Sequence, residues 1–312
     1  MNIKNPEYIL EIARQRNLSR AAQNLFIVQS TLSQYLLNTE TELGTALFNR
    51  TKSGLVPTPA GQLYIQAAKD ILETGIRAER SIRALSGQGT LRIGVCDWCL
   101  RTMINILPPY KQRFPEMTVE LTDNNYFYLR RMMREGKLDF VIGAVVEGDV
   151  APEDHAELLF EEEVKLVLPL GSATDIVPEK TVLARSDLPD ILKNTDFILS
   201  DARSTVRDLE EKLFDSLLFR PHVICDIDRK DFTMELVAGS VGAAFIPERT
   251  LLDQRIAKYV SCVKSFSLEP PLKRSIVMIF RDDLVMTDQI RSILEEIKRH
   301  AAEEEQLLKK AV

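Results

Sequence analysis

The chain is poor in the side chains that metal centres and nucleophilic catalysis recruit. Its 312 residues include three histidines (His155, His222, His300), four cysteines (Cys96, Cys99, Cys225, Cys262) and a single tryptophan, Trp98. The histidines lie far apart and share no zinc-type spacing with the cysteines, so no metal centre is expected from them. No apolar run approaches the ~18–20 residues that span a bilayer. The opening MNIKNPEYILEIARQ has no basic stretch followed by an apolar core, so no secretory signal is read there. The expectation is a cytoplasmic protein with reduced thiols, no membrane association and no disulfide framework. GxSxG, a P-loop, GxGxxG after a strand and HExxH are also missing. No enzymatic activity and no cofactor are therefore expected.

What is present is ample apolar material, 45% of the chain, with 28% charged residues. At this length that suggests two domains, each with its own core. The net charge of −6 is unevenly spread. Residues 1–90 carry ten basic and seven acidic side chains, whereas the remainder carries thirty and thirty-nine. A mildly basic end on an acidic protein is compatible with nucleic-acid binding through that end alone.

Asn5-Pro6 opens a helix with an apolar stripe at Tyr8, Ile9, Ile12 and Ala13, ending near Asn17. Ser19 is expected to cap a short second helix, Arg20 to Leu25. After the turn Phe26-Ile27-Val28, a third helix runs from Gln29 to about Glu42, with Leu32, Leu36 and Leu43 inward. Three short helices joined by tight turns form a helix-turn-helix unit. The outer face of the third carries Gln29, Ser30, Thr31, Ser33, Gln34 and Asn38, short or amide groups suited to base edges and phosphates. An ordinary solvated helix face would look the same. Ala46–Arg50 and Leu55–Pro57 then read as strands around Thr51-Lys52-Ser53-Gly54, a wing that presents Arg50 and Lys52 to phosphates or the minor groove. Ser19 and Arg20 complete the candidate DNA contacts.

Thr58-Pro59 is a favourable start for a long helix reaching about Ser86. Leu63, Tyr64, Ala67, Ile71, Ile76, Ile82 and Leu85 recur on it at mostly helical spacing among charged residues, as in a helix that pairs with a copy of itself.

The stretch LSRAAQNLFIVQSTLSQYLLNTETELGTALFNRTKSGLVPTPAG resembles the DNA-binding signature of LysR-type transcriptional regulators. Ala21-Ala22, Leu25, Gln29, Leu32-Ser33, Glu40, Leu43-Gly44, Leu47-Phe48, Arg50, Thr58 and Ala60-Gly61 carry the resemblance. Val28, where the family usually has Ser, and Pro57, where it usually has Leu, depart from it. The resemblance implies binding to double-stranded DNA, a homodimer through the linker helix and a homotetramer built as a dimer of dimers. The domain expectation is a winged helix-turn-helix over 1–58, a linker helix over 59–88 and an effector-binding domain over 89–312.

Beyond the joint Ser86-Gly87-Gln88-Gly89, strands alternate with helices, which argues for α/β units with parallel strands. Strands are expected at 91–95, 118–122, 140–142, 164–168, 196–200, 222–225, 243–246 and 275–280, and a final helix over Asp288–Ala302 with a solvated tail. LRIGV at 91–95, GKLDFVIG at 136–143 and MELVAGSVGAAFIP at 234–247 extend the resemblance over nearly the whole chain. It implies two Rossmann-like lobes of the periplasmic-binding-protein type, one from about 91–162 and 268–300, the other from about 163–267. Ligands in such folds bind at strand ends and helix N-termini.

By that rule Cys96, Asp97, Trp98, Cys99, Arg101 and Thr102 line the cleft after the first strand. Asn125 joins them from the first lobe, and Ser200, Asp201, Arg203 and Cys225 come from the second. Trp98 either stacks on an aromatic effector or closes the pocket. Arg101 either pairs with a carboxylate or makes a salt bridge with Asp97 or a neighbour. A small-molecule effector, a carboxylate or an aromatic, is the expected partner. The spacing Cys96-x-x-Cys99 at a strand-to-helix junction leaves an alternative: the same regulator switched by thiol redox or by a metal at this pair. A peroxide-sensing branch of the family carries its cysteines in the second lobe, and Cys225 and Cys262 do not match that local pattern.

Overall fold

The computed structural model describes residues 3, 5–85, 89–96, 99–146, 150, 154–172, 181–227, 229–281 and 284–311. The chain divides into two compact units, Met1–Arg83 and Ala84–Val312.

In the first unit, α1 (Pro6–Gln15), α2 (Leu18–Asn24) and α3 (Gln29–Leu43) precede a hairpin of β1 (Phe48–Thr51) and β2 (Gly54–Pro57), and α4 (Pro59–Leu85) follows. Ile9, Ile12, Ala21, Ala22, Leu32, Leu36 and Leu47 form one buried cluster, so each helix contributes the apolar stripe read from its spacing. The cap of α2 is a correction. Asn17, not Ser19, lies in extended conformation and accepts the Arg20 N–H through Oδ1 at 3.0 Å. Ser19 already lies within the helix, where its hydroxyl cannot take the capping position. Gly44 ends α3 at φ 66°, the left-handed conformation glycine adopts without cost. Thr58 caps α4: its Oγ1 accepts from Gly61 N at 3.0 Å and donates to Ala46 O at 2.7 Å. Gly61 is needed for close approach, since a Cβ there would stand 1.9 Å from Leu47 O.

The second unit contains β3 (Gly89–Val95), α5 (Cys99–Arg113), β4 (Met117–Asp123), α6 (Tyr126–Arg134), β5 (Phe140–Val145) and β6 (His155–Pro169). Next come β7 (Val182–Ala184), α7 (Leu188–Leu192), β8 (Asp196–Ser200), α8 (Thr205–Ser216), β9 (His222–Ile227) and α9 (Lys230–Ala238). The chain ends with β10 (Ala244–Pro247), α10 (Glu248–Leu251), α11 (Ala257–Val260), β11 (Val263–Glu269), β12 (Lys273–Phe280) and α12 (Asp288–Ala311).

The strand order is β4-β3-β5-β12-β6-β11-β7, with β10 also on β6 and β8 paired with β9. The long β6 serves both lobes. Its first half, to Glu163, pairs with β12, and from Val164 onward it pairs with β10 and β11. The chain recrosses between β11 and β12. Each lobe therefore has a two-faced sheet with an apolar cluster on each side.

Two expectations change. The sheet is mixed: β3 is parallel to β4 and β5, but β12 runs antiparallel to both β5 and β6. A strand that returns to the first lobe from the second must run against the strand that left it. The terminal helix continues to Ala311 rather than stopping near Ala302. Its apolar stripe continues, and Leu308 packs into the core of the first lobe at 5% exposure. Among the described residues, no helix is long and apolar enough to cross a membrane.

Candidate effector cleft and DNA-reading surface

In the first unit, Gln29, Ser30, Thr31, Gln34 and Asn38 lie exposed on α3, with Ser33 half-buried beside them. Gln34 Nε2 donates to Asn38 Oδ1 at 2.7 Å, so two of these amides hold each other. Ser19 and Arg20 on α2 are exposed, as are Arg50 and Lys52 on the wing. Glu40, on the inner side of α3, fixes the wing against the helix. Its Oε1 accepts the backbone N–H groups of Leu47 and Phe48 at 2.7 and 3.2 Å.

In the second unit a cavity of about 1000 Å³ opens between the two lobes. The N-terminal ends of four helices border it: Leu100 and Thr102 of α5, Tyr126 of α6, Thr205 of α8 and Lys230 of α9. Unpaired N–H groups and the helix dipole give such ends a partial positive charge, so the four together favour an anion. Asn125 caps α6 by accepting Tyr128 N at 3.0 Å, and Ser204 caps α8 by accepting Val206 N at 3.2 Å.

Five of the expected residues are on this wall: Cys96, Thr102, Asn125, Asp201 and Arg203. The Thr102 hydroxyl oxygen is buried and has no hydrogen-bond partner among the described residues. Cys96 Sγ lies 3.5 Å from Ile142 O and 3.3 Å from Ala144 N. Three others are placed elsewhere. Cys99 is 1% exposed in the core of the first lobe. Cys225, on β9, packs beneath the second lobe's sheet. Ser200 is 2% exposed and bonded inward. Asp97, Trp98 and the Arg101 side chain lie outside the described residues.

Sequence reasoning placed Asp201 and Arg203 on the cleft but overlooked most of its other charge. Three arginines on the second lobe's rim are each held by an aspartate two residues away. Arg203 Nε donates to Asp201 at 2.8 Å, Arg255 Nη2 to Asp253 at 2.6 Å, and Arg229 Nε to Asp231 at 3.1 Å. Hydrogen bonds from Arg203 and Arg229 hold the Asp201 and Asp231 carboxyls below the ordinary carboxylate range. Arg274 lies at the base, where β12 and β6 pass between lobes. Its Nε and Nη2 donate to Glu162 Oε1 at 2.8 and 2.7 Å, and its Nη1 donates to Thr205 Oγ1 at 3.2 Å. On the other side, Arg249 pairs with Glu304 of α12, and His300 and Leu307 of that helix complete the wall. Arg229 and Lys230 follow a strand directly, so the strand-end rule points to them. No sequence signal marked Arg274, which reaches the cleft only because β12 crosses between lobes. No group of three or more His, Cys, Asp or Glu side chains among the described residues is arranged to hold a metal ion.

Residues 85–302 match the model of the LysR substrate binding domain, and residues 3–62 match that of the bacterial regulatory helix-turn-helix protein, lysR family. The chain belongs to the LysR family of transcriptional regulators. It is thus a DNA-binding regulator with an effector-binding domain, not an enzyme. Among its relatives is the uncharacterized HTH-type transcriptional regulator YcgK of Bacillus subtilis, 27% identical over 303 residues, covering 90% of this chain and 89% of YcgK. The hydrogen peroxide-inducible genes activator of Dickeya chrysanthemi is 24% identical over 309 residues, covering 96% of each chain. A full-length OxyR variant from Pseudomonas aeruginosa superposes with TM-score 0.59 at 20% identity, covering 94% of this chain and 96% of that one. The effector binding domain of QuiR in complex with shikimate gives 0.55 at 17%, covering 69% of this chain and 98% of QuiR's. At these identities the structural likeness is one of fold: a winged helix-turn-helix followed by a two-lobed α/β sensor of the periplasmic-binding-protein type.

Proposed function

We propose that this LysR-family regulator reads two DNA half-sites through paired copies of α3 and its wing, under control of a small anionic effector held between the lobes of the second unit. The observation that carries the reading is the cavity itself: about 1000 Å³, bordered by four helix N-termini and by Lys230 and Arg274. Cys96, Thr102, Asn125, Asp201 and Arg203 are the effector contacts proposed from the original set. Base and phosphate contacts fall to Ser19, Arg20, Gln29, Ser30, Thr31, Ser33, Gln34, Asn38, Arg50 and Lys52. Pairing through α4 is supported by its exposed apolar residues Leu63, Ile71, Ile76, Ile82 and Leu85. Coupling two reading heads raises affinity without new contacts, and a dimer of such dimers is the proposed assembly, acting in the cytoplasm. An effector that prefers one lobe arrangement shifts the population toward it and so alters the spacing of the heads on DNA.

A screen of thermal melting of the full chain, with reductant present, tests this. Binding to the native state must raise the melting temperature in a concentration-dependent way. Carboxylates or other small anions are expected among the hits, and a broad panel without one would contradict the reading.

A second reading, thiol control, is motivated by relatives named as hydrogen peroxide-inducible activators. Cys96 and Cys99 are close, with Cys99 N donating to Cys96 O at 3.3 Å, but both thiols are buried. DNA binding that responds to reductant alone, with no effector, would favour this reading.

A further inference from the structure

Behind the cleft wall of the second lobe lies a buried polar chain that joins two helices. Lys230, the first residue of α9, donates through Nζ to Ser200 Oγ at 2.6 Å. Ser200 Oγ lies 2.9 Å from Glu210 Oε1, and Ser200 N donates to Glu210 Oε2 at 3.1 Å. An ammonium has only protons to offer, so the hydroxyl must accept from Lys230, and its own proton points to Glu210. The chain is therefore directional, from Lys230 through Ser200 to Glu210. Exposure follows the same order: 8% for Lys230, which lines the cavity, 2% for Ser200 and 0% for Glu210, which do not.

A buried carboxylate is costly unless it is paired and hydrogen-bonded. Glu210 has such partners, but they contribute nothing at the surface. The whole arrangement ends at one point, the lysine on the cavity wall beside the N-termini of α8 and α9. We propose that Lys230 is the second lobe's contact for an anionic group of the effector, and that Glu210 is a positioning residue that holds it there through Ser200. This rests on the reading that the effector occupies the cleft, and it adds which residue meets the anion and what sets that residue's charge.

Glu210 also offsets the lysine's charge. Burial pushes its carboxyl up to about 7, against the opposing pull of Lys230 and of the Ser200 hydrogen bonds. The charged groups facing it are Lys230 from α9 and Arg207 from its own helix, whose Nη1 donates to Ser200 O at 3.0 Å. β8 contributes Ser200, and β10 packs on α8 with only Ala244, Phe245, Ile246 and Pro247. When Glu210 takes up a proton, it offsets less of the ammonium's charge, and an anion in the cleft is held more tightly.

Inorganic sulfate is the probe, because its charge is constant across the neutral range. Its affinity for the full chain is read by melting or calorimetry at fixed ionic strength. Sulfate is expected to stabilise the wild type. Lys230→Met should weaken it at least about tenfold, the worth of one charge-assisted hydrogen bond. Ser200→Ala should weaken it as well, while Glu210→Gln, which can still accept from Ser200 but carries no charge, should bind sulfate at least as tightly as the wild type above pH 7. Sulfate affinity of the wild type should rise as pH falls through about 7, and Glu210→Gln should make that rise shallower. His300 on the opposite wall is the same in both proteins, so the difference in slope belongs to Glu210. The double variant Lys230→Met with Glu210→Gln leaves no buried charge unpaired and serves if the single lysine variant does not fold. Unchanged sulfate affinity in the lysine variants, an unchanged pH slope in Glu210→Gln, or no stabilisation of the wild type by sulfate would overturn the proposal. Compounds from the melting screen that bind the lysine variants as they bind the wild type would leave the cleft reading standing and remove only this inference.

Discussion

Glu40 Oε1 accepts the Leu47 N–H at 2.7 Å, joining α3 to the start of the wing. The Phe48 N–H, at 3.2 Å, shares the same oxygen. The carboxylate thereby ties α3 to the strand that carries Arg50, one of the proposed DNA contacts.

Glu40→Ala should therefore cost DNA affinity without changing the bases preferred by α3. Losing an acceptor for two backbone donors costs about 1–3 kcal/mol, part of which appears as fraying of the wing. Operator selection from a random library, compared with direct affinity measurement, checks this. A changed consensus with unchanged affinity would contradict it.

A second acidic group supports the same unit. Glu11 Oε1 accepts from Arg14 Nη2, Gln15 Nε2 and Asn24 Nδ2 at 2.8, 2.9 and 2.7 Å, linking α1 to the end of α2. The hydrogen bond from Arg14 is the main cause of a carboxyl lowered to about 2. A depressed folded value means stability that is present above the unfolded value near 4.5 and lost as pH falls toward about 2. Glu11→Gln should lower the melting temperature at neutral pH, and the gap to wild type should narrow as pH drops through that window. Calorimetric melts at several pH values measure it.

The sign reverses for Glu210. Its folded value, about 7, lies above the usual 4.5, so its contribution is greatest below 4.5 and is lost as pH rises through about 7. The melting temperature of wild type relative to Glu210→Gln should fall across that interval. A difference that stays flat with pH would mean that the carboxyl titrates normally.

At the base of the cleft, the Arg274 and Glu162 side chains are 3% and 0% exposed. Removing one partner of such a pair leaves a buried charge without its counter-ion. Arg274→Met is expected to cost about 3–5 kcal/mol, and adding Glu162→Gln should recover much of it. Denaturant unfolding of the three variants decides this. A double variant no better than the single would show that the arginine acts through packing alone.

The first unit was legible almost residue by residue, because each element carries its own local signal. Leu32 and Leu36 mark the inner side of α3, Gly44 its end, and Thr58-Pro59 the start of α4. Capping of α2 was misplaced by two residues because Asn17 and Ser19 are equally good caps by type, and only the backbone conformation separates them. In the second unit, β3 and β4 were expected from the alternation of strands with helices, whereas β7, α7, α10, α11 and β11 were not anticipated. These are mostly short pieces that are stabilised by the sheet they edge rather than by their own sequence. The early part of β6 was hidden for a related reason: HAELLFEEEVK alternates weakly and carries a run of charges, and Glu162 is buried against Arg274, a residue far along the chain. The cleft was half legible. Residues directly after a strand, such as Asp201 and Arg203, fall out of the strand-end rule. Arg274 and Glu304 reach the cleft through a crossing and a helix extension that no local pattern encodes.

The most direct test is a titration of the full chain on operator DNA selected from a random library. It should be followed by anisotropy and by a bend-sensitive assay, with the compound that most raises the melting temperature as titrant. The account predicts that DNA affinity or DNA bend changes by a factor of about 5–150, with a midpoint matching the compound's own affinity, because coupling between two sites is reciprocal. A compound that saturates the cleft while leaving both affinity and bend unchanged would contradict control of DNA binding from the cleft.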